Sequence, residues 1–246
     1  MKLEQQFFVG AHDVDREKKV TNRALLEMLS DISMMHGVKS GQTKAEGKSL
    51  VSWVVVGWYV KVYKRPAMFS TLRAVTWATD YTKVRAGRDY IIYDEDDNVI
   101  VKGTSQWIAV DVDTGRPLRI TSELADAFDP EPDELVFPEF SFPSIRNVDM
   151  DVAETREVEI DRTMFDYNGH VHNSVYLGIA EQILPEELYL RGFGELIITY
   201  KQEITAEDPV VLEYSHQGED YVVVIRRKSD GAIHAVINFR KVGTTA

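Results

Sequence analysis

The sequence predicts an α+β protein of two successive domains, each an antiparallel sheet wrapped on one helix. Three observations carry this. Each half of the chain holds one stretch of helical period. Each such stretch is followed by strand-like runs joined by turn residues. The two series stand in the same order on either side of a proline-rich segment. Strands that succeed one another through short turns build meanders, so both sheets are expected to be antiparallel.

The first half opens with a short strand-like run, then a helix over about 22–36. Leu25, Met28, Leu29, Ile32 and Met35 recur at helical spacing, and Gly37 suits the stop. Strand signals follow at 49–63, 69–79, 83–94 and 99–110, with Asp96-Asp97-Asn98 and Asp113-Thr114-Gly115 as turns. In the second half a further short strand-like run precedes a helix over 174–184. Val175, Leu177, Ile179, Ala180, Ile183 and Leu184 form its apolar set, Asn173 is its expected N-cap and Pro185 its end. Strands are expected at 194–204, 209–217, 220–228 and 232–241, with Gln217-Gly218-Glu219 and Ser229-Asp230-Gly231 between the last three.

Four of the eight prolines, Pro130, Pro132, Pro138 and Pro143, fall together among Asp129, Glu131, Asp133, Glu134 and Glu139. Such a stretch cannot continue a helix or a central strand. The expected division is a first domain over 1–120, a linker over 121–146 and a second domain over 147–246.

Composition narrows the function. With 246 residues, 44% of them hydrophobic, the chain can bury one large core or two small ones. A net charge of −12 argues against non-specific nucleic-acid binding. The absence of cysteine excludes disulfides, thiolate metal sites and a cysteine nucleophile. His12, His36, His216 and His234 lack metal-ligand spacing, so neither metal nor cofactor is expected. No apolar run reaches the roughly 18 residues of a membrane span. The first residues, Met1-Lys2-Leu3-Glu4-Gln5-Gln6, lack a signal peptide's apolar core. A cytoplasmic enzyme without a membrane span is expected.

The stretch that points to chemistry is 166–173. Asp166, Asn168 and His170 alternate just before the second helix, putting an acid, an amide and an imidazole near unpaired N–H groups. An extended backbone would turn all three to one side, whereas a turn at Gly169 would break that alternation. Asp-x-Asn-Gly is also ordinary turn composition. At an offset of 151 residues Asp15 falls on Asp166, Val20 on Val171 and Asn22 on Asn173. Glu17 and Lys19 then stand where the second half has Asn168 and His170. One copy keeps the amide and imidazole, as expected if one site is active and its sister serves binding.

Three pieces of the chain carry a family resemblance. The first is Asp166-x-Asn168-x-His170-Val171-x-Asn173 with Tyr176 following. The second is Tyr200-Lys201-Gln202-Glu203. The third runs from Trp53-Val54-Val55-Val56 to Lys64-Arg65-Pro66. Over essentially its full length the sequence resembles the acyl-ACP thioesterases. The resemblance implies a tandem double hotdog fold. It also implies hydrolysis of acyl-ACP thioesters to free fatty acid, with acyl carrier protein as partner. In plant members a cysteine follows the glutamate of the second piece; here Ile204 stands there. The residues left for the reaction are Asp166, Asn168, His170 and Glu203.

Glu203 and Asp166 are the two candidate bases; Glu203 is favoured as base or orienter of the attacking water, with Asp166 as partner to Asn168 or His170. Asn168 can hold the thioester carbonyl or water, and His170 can donate to the oxyanion or relay a proton. Water is the expected nucleophile, and Ser174 is the nearest hydroxyl that could attack instead. All four tryptophans lie in the first half. The acyl pocket is therefore placed there, lined by Met28, Ile32 and Trp53. Acyl carrier protein is acidic, so a basic patch including Lys64, Arg65 and Arg85 is expected to receive it. A homodimer is the expectation retained for assembly. The competing readings are an acyl-CoA thioesterase, a hotdog dehydratase and a non-catalytic acyl-thioester sensor.

Overall fold

The computed structural model describes residues 1–42, 51–145, 148, 150–166, 168–205 and 208–241. Two compact units divide the chain, Met1–Phe140 and Ser141–Ala246.

In the first unit β1 is Leu3–Phe8, α1 is Asn22–Lys39 and β2 is Val51–Val62. β3 is Thr71–Tyr81, β4 Ala86–Tyr93, β5 Val99–Asp111 and α2 Ser122–Asp126. The sheet order is β1-β3-β4-β5-β2, with every pairing antiparallel. Thr21 caps α1 by accepting from the Ala24 N–H at 3.1 Å. Leu25, Leu29 and Ile32 on its inner face are wholly buried, with Trp58, Leu72, Tyr90 and Ile92 of the sheet. The helix passes through Gly37, expected to end it, and stops at Ser40, which sits at ordinary αR angles. Gly37 is buried in the last turn, and the left-handed residue of the stop is Gly41, at φ +76°, whose N–H donates to the Val38 carbonyl while Gln42 N–H donates to the Gly37 carbonyl, both at 3.1 Å.

Residues 121–140, expected to belong to a linker, lie within this unit. Ala125 and Phe128 are buried. The Glu131 N–H donates to the Ala78 carbonyl at 2.8 Å, and Val136 N–H to Asp89 Oδ2 at 2.6 Å. Phe137 and Phe140 pack on the Tyr59 ring. Prolines at 130, 132 and 138 pre-set the backbone, which lowers the entropy lost in laying an irregular segment along a sheet.

In the second unit β6 is Glu154–Val158, α3 Val175–Ala180, α4 Glu186–Arg191 and β7 Glu195–Tyr200. β8 is Val210–Gln217, β9 Asp220–Arg227 and β10 Ile233–Arg240. The sheet order is β6-β8-β9-β10-β7. Strand by strand this is the topology of the first unit, so the duplication suggested by the sequence extends to strand order. Leu177, Ile179, Ile183, Val223, Ile225, Ile237 and Phe239 form its buried core.

Two expectations change here. The second helix is short: α3 gives way to a 3₁₀ turn at Glu181–Ile183, and Ser174 stands at its start instead of Asn173. The Asn173 carbonyl accepts from the Tyr200 hydroxyl at 2.8 Å. The strand expected over 194–204 ends at Tyr200. The N–H groups of Lys201 and Gln202 both turn onto the His234 carbonyl, at 2.8 and 3.3 Å, which ends the ladder before Glu203.

Candidate active site

Residues 165–166 and 168–171 close a turn. Phe165 and Val171 bridge its base. Asp166 N–H donates to the His170 carbonyl at 2.8 Å, and Gly169 N–H to the Asp166 carbonyl at 3.0 Å. Gly169 takes φ +76°, a left-handed angle that costs glycine little. Inside the turn, Asp166 Oδ1 accepts from the N–H groups of Asn168 at 2.8 Å and His170 at 3.2 Å. The alternation at 166, 168 and 170 therefore does not present three side chains on one face. Asp166 turns in to hold the backbone, and Asn168 is exposed.

His170 and Glu203 meet. His170 Nδ1 lies 3.2 Å from Glu203 Oε2, with both side chains part-exposed. Buried polar contacts beside Glu203 hold it there. The Ile204 carbonyl accepts from Val171 N–H at 3.0 Å, and Ile204 N–H donates to Tyr176 Oη at 2.9 Å. On the other side His234 Nδ1 donates to the Gln202 carbonyl at 3.1 Å. Burial raises the Tyr176 and Tyr200 phenols well above their usual range, so both clamps stay neutral. Motif reading had included Tyr176 and Tyr200 but missed their task, which is to fix the glutamate segment against the histidine loop. His234 had been considered only as a metal ligand.

The first unit repeats this frame without the chemistry. Val14 and Val20 bridge, and Asp15 Oδ1 accepts from the N–H groups of Glu17 at 2.8 Å and Lys19 at 3.0 Å. Asp15 N–H donates to the Lys19 carbonyl at 2.9 Å, and Lys18 N–H to the Asp15 carbonyl at 3.0 Å. Val20 N–H donates to the Pro66 carbonyl at 3.0 Å, as Val171 does to Ile204. Pro66 thus stands for Ile204 and Arg65 for Glu203. Where the second unit has Asn168, His170 and Glu203, the first has Glu17, Lys19 and Arg65.

The remaining sequence candidates are placed as follows. Met28 and Ile32 are buried on the inner face of α1, and Trp53 is partly buried with its ring edge-on to Phe128 at 5.8 Å. Arg65 donates to the Val20 carbonyl at 2.8 Å and to Asn22 Oδ1 at 2.7 Å, a tie within the fold. Lys64 is exposed but paired with Asp94 at 2.7 Å, and Arg85 bonds Gln106. Ser174 is wholly buried, with its hydroxyl 2.9 Å from His172 Nδ1, so it is badly placed to attack a substrate. Among the described residues no group of side chains could hold a metal ion.

A carboxylate only accepts, so Glu203 favours the His170 tautomer with hydrogen on Nδ1. The lone pair is then on Nε2, available to take a proton. A carboxylate–imidazole pair can activate water.

The family model of the acyl-ACP thioesterase N-terminal domain matches residues 1–128. An oleoyl-acyl carrier protein thioesterase, chloroplastic, of Coriandrum sativum is 26% identical over 226 residues, 85% of this chain and 61% of that protein. Oleoyl-acyl carrier protein thioesterase 2, chloroplastic, of Arabidopsis thaliana is 26% identical over 223 residues, 84% of this chain and 60% of that protein. The chain thus spans about three fifths of the length of the curated relatives it matches. Its fold is shared with an acyl-ACP thioesterase from Bacteroides thetaiotaomicron, at TM-score 0.84 and 18% identity over 97% of both chains. It is shared too with a 12:0-ACP thioesterase from Umbellularia californica, at TM-score 0.83 and 15% identity over 97% of this chain and 96% of that one. The double hotdog expected from the sequence is the fold found. With the N-terminal domain of the family matched across more than half of its length, the protein belongs to the acyl-ACP thioesterases.

Proposed function

We propose that the chain hydrolyses acyl-ACP thioesters and releases free fatty acid, with water as the nucleophile. The approach of His170 Nδ1 to Glu203 Oε2, 3.2 Å, carries this reading. Glu203 orients and polarises His170. Nε2 takes a proton from water as the water oxygen bonds to the thioester carbon. The Asn168 amide stabilises the oxyanion. The C–S bond then breaks, and the proton held by His170 goes to the departing sulfur, leaving a fatty acid and the carrier thiol. Such general acid–base action contributes about 10²–10⁴-fold. Asp166 positions the loop through its backbone bonds and takes no proton.

The acyl chain is assigned to the first unit, lined by Met28, Ile32 and Trp53. Acyl carrier protein is assigned to a basic surface that includes Lys64 and Arg85. The proposed compartment is the cytoplasm, whereas the named plant relatives are chloroplastic; fractionation of cells that express the tagged chain tests it.

Thiol release is the deciding experiment, with matched acyl-ACP and acyl-CoA panels and the His170→Ala and Glu203→Ala variants. Turnover of acyl-ACP that both variants lose supports the reading. Turnover of acyl-CoA alone, or of neither carrier, defeats it.

A further inference from the structure

The core of the first unit contains a polar seam that hydrolysis leaves unused. It lies between the inner face of α1 and strands β3, β4 and β5. One half is complete in itself. Ser33 Oγ meets Tyr90 Oη at 2.7 Å, Tyr90 Oη meets Ser105 Oγ at 2.9 Å, and Trp107 Nε1 donates to Ser105 Oγ at 2.6 Å. Ser33 also donates to the Leu29 carbonyl.

The other half is short of acceptors. Arg88 is 7% exposed, and its Nη1 donates to His36 Nδ1 at 2.7 Å and to Thr76 Oγ1 at 3.3 Å. Among the described residues no carboxylate pairs with it, and Asp89, next in the strand, accepts from Val136 instead. His36 is wholly buried. A guanidinium can only donate, so Nδ1 is the acceptor and the hydrogen sits on Nε2. Among the described residues that buried Nε2 has no partner, and neither has the buried Nε1 of Trp53. All three groups surround one ring. Phe128 lies 5.5 Å from His36 and 5.8 Å from Trp53, both edge-on, with the Arg88 guanidinium carbon 5.4 Å above it.

A cation and two N–H groups, all donors and all removed from water, are poorly matched to hydrocarbon. They match an acceptor oxygen. His36 also follows Met28 and Ile32 at successive helical spacings, along the face assigned to the acyl chain. We propose that His36, Arg88 and Trp53 bind an oxygen carried on the acyl chain far from the thioester. The substrates would then be oxygenated acyl thioesters, with a carboxylate, ketone or hydroxyl reaching the cluster. This rests on the assignment of the acyl pocket to the first unit. A carboxylate is the best match, since it supplies the counter-charge that Arg88 lacks as well as acceptors for both N–H groups.

The experiment compares ACP thioesters of equal chain length, plain, ω-hydroxy and ω-carboxy, and measures kcat/KM for each. Calorimetry of the matching free acids gives a readout independent of turnover. The expected result is at least a tenfold preference for the ω-carboxy chain over the plain one. His36→Leu and Arg88→Met should collapse this ratio, and Trp53→Phe, which removes the N–H and keeps a smaller aromatic ring, should reduce it. Should Arg88→Met fail to fold, the other two variants still decide, because the ratio is read within each protein. No preference in the wild type, or a ratio that all folded variants keep, overturns the inference. Hydrolysis of plain chains without oxygen preference defeats this proposal alone, whereas hydrolysis of no acyl-ACP defeats the activity on which it rests.

Discussion

Asp15 and Asp166 make the same two hydrogen bonds, each in its own unit. Oδ1 of Asp166 accepts from the N–H groups of Asn168 and His170, and Oδ1 of Asp15 accepts from those of Glu17 and Lys19. An aspartate that performs this task where there is neither amide nor imidazole to assist is a loop-former. Asp166→Asn keeps an acceptor oxygen, so it should retain activity within about tenfold, whereas Asp166→Ala should lose far more. Asp15→Ala should lower stability by about 1.5–3 kcal/mol, the range for a hydrogen bond to a charged group. Abolition of turnover by Asp166→Asn, with its fold intact by circular dichroism, would make Asp166 a base.

Glu203 and His170 should behave as a unit. Glu203→Gln, His170→Ala and the double variant should each lower kcat by about 10²–10⁴-fold, with the double variant close to the worse single one. Fully additive losses in a kinetic double-mutant cycle would show that the two act separately.

Tyr176 holds the segment that carries Glu203 through the backbone of Ile204. Tyr176→Phe leaves the buried Ile204 N–H without its acceptor, at a cost of about 1–3 kcal/mol. The loss should fall on kcat more than on KM, because the glutamate is displaced while the acyl pocket is untouched. Urea melts and steady-state kinetics on one preparation check both. A KM effect with kcat unchanged would count against the clamp.

His36 confers a pH dependence on folding. Burial, with the Arg88 charge beside it, pushes its pKa down from 6.5 to about 3. Between those values the unfolded chain binds the proton and the folded one does not, so stability falls as pH falls. The contribution is fully present above pH 6.5 and exhausted by about pH 3. His36→Gln can still accept from Arg88 but cannot titrate. From pH 7 to pH 5 the wild type should lose about 2 kcal/mol more than this variant in urea unfolding. Parallel pH profiles would refute the assignment.

Lys64 and Arg85 are the testable members of the basic patch, since Arg65 is tied to Val20 and Asn22. Lys64→Glu with Arg85→Glu should raise KM for acyl-ACP several-fold and steepen with falling salt. Arg65→Ala should lower the melting temperature instead. Asp94→Asn, which frees Lys64 from its partner, should lower KM. Insensitivity of KM to the reversals removes the patch.

Much of the fold was legible because it is local. Alternation, helical spacing and turn residues placed the strands within a few positions, and the offset of Asp15 from Asp166 already located both loops. The misread ends have physical causes. Gly37 was expected to stop α1 but is buried inside it. Asn173 was expected to cap α3, but the helix starts one residue later, with Ser174 at the cap position. The strand before Glu203 ends because two N–H groups compete for the His234 carbonyl, a contact with a distant strand.

The site divides along the same line. By itself the sequence determined which chemistry was available: no thiol, an amide and an imidazole in one loop, and a carboxylate after a later strand. It also determined that the two halves share a frame. Only the tertiary structure decided that the loop is closed, that Asp166 is spent on backbone N–H groups, and that His170 meets Glu203. The reason is that residue types and their spacing limit local conformation and possible chemistry. Pairing a side chain with a partner remote in sequence depends on strand register and on clamps such as Tyr176 to Ile204, which exist only once the sheet has formed.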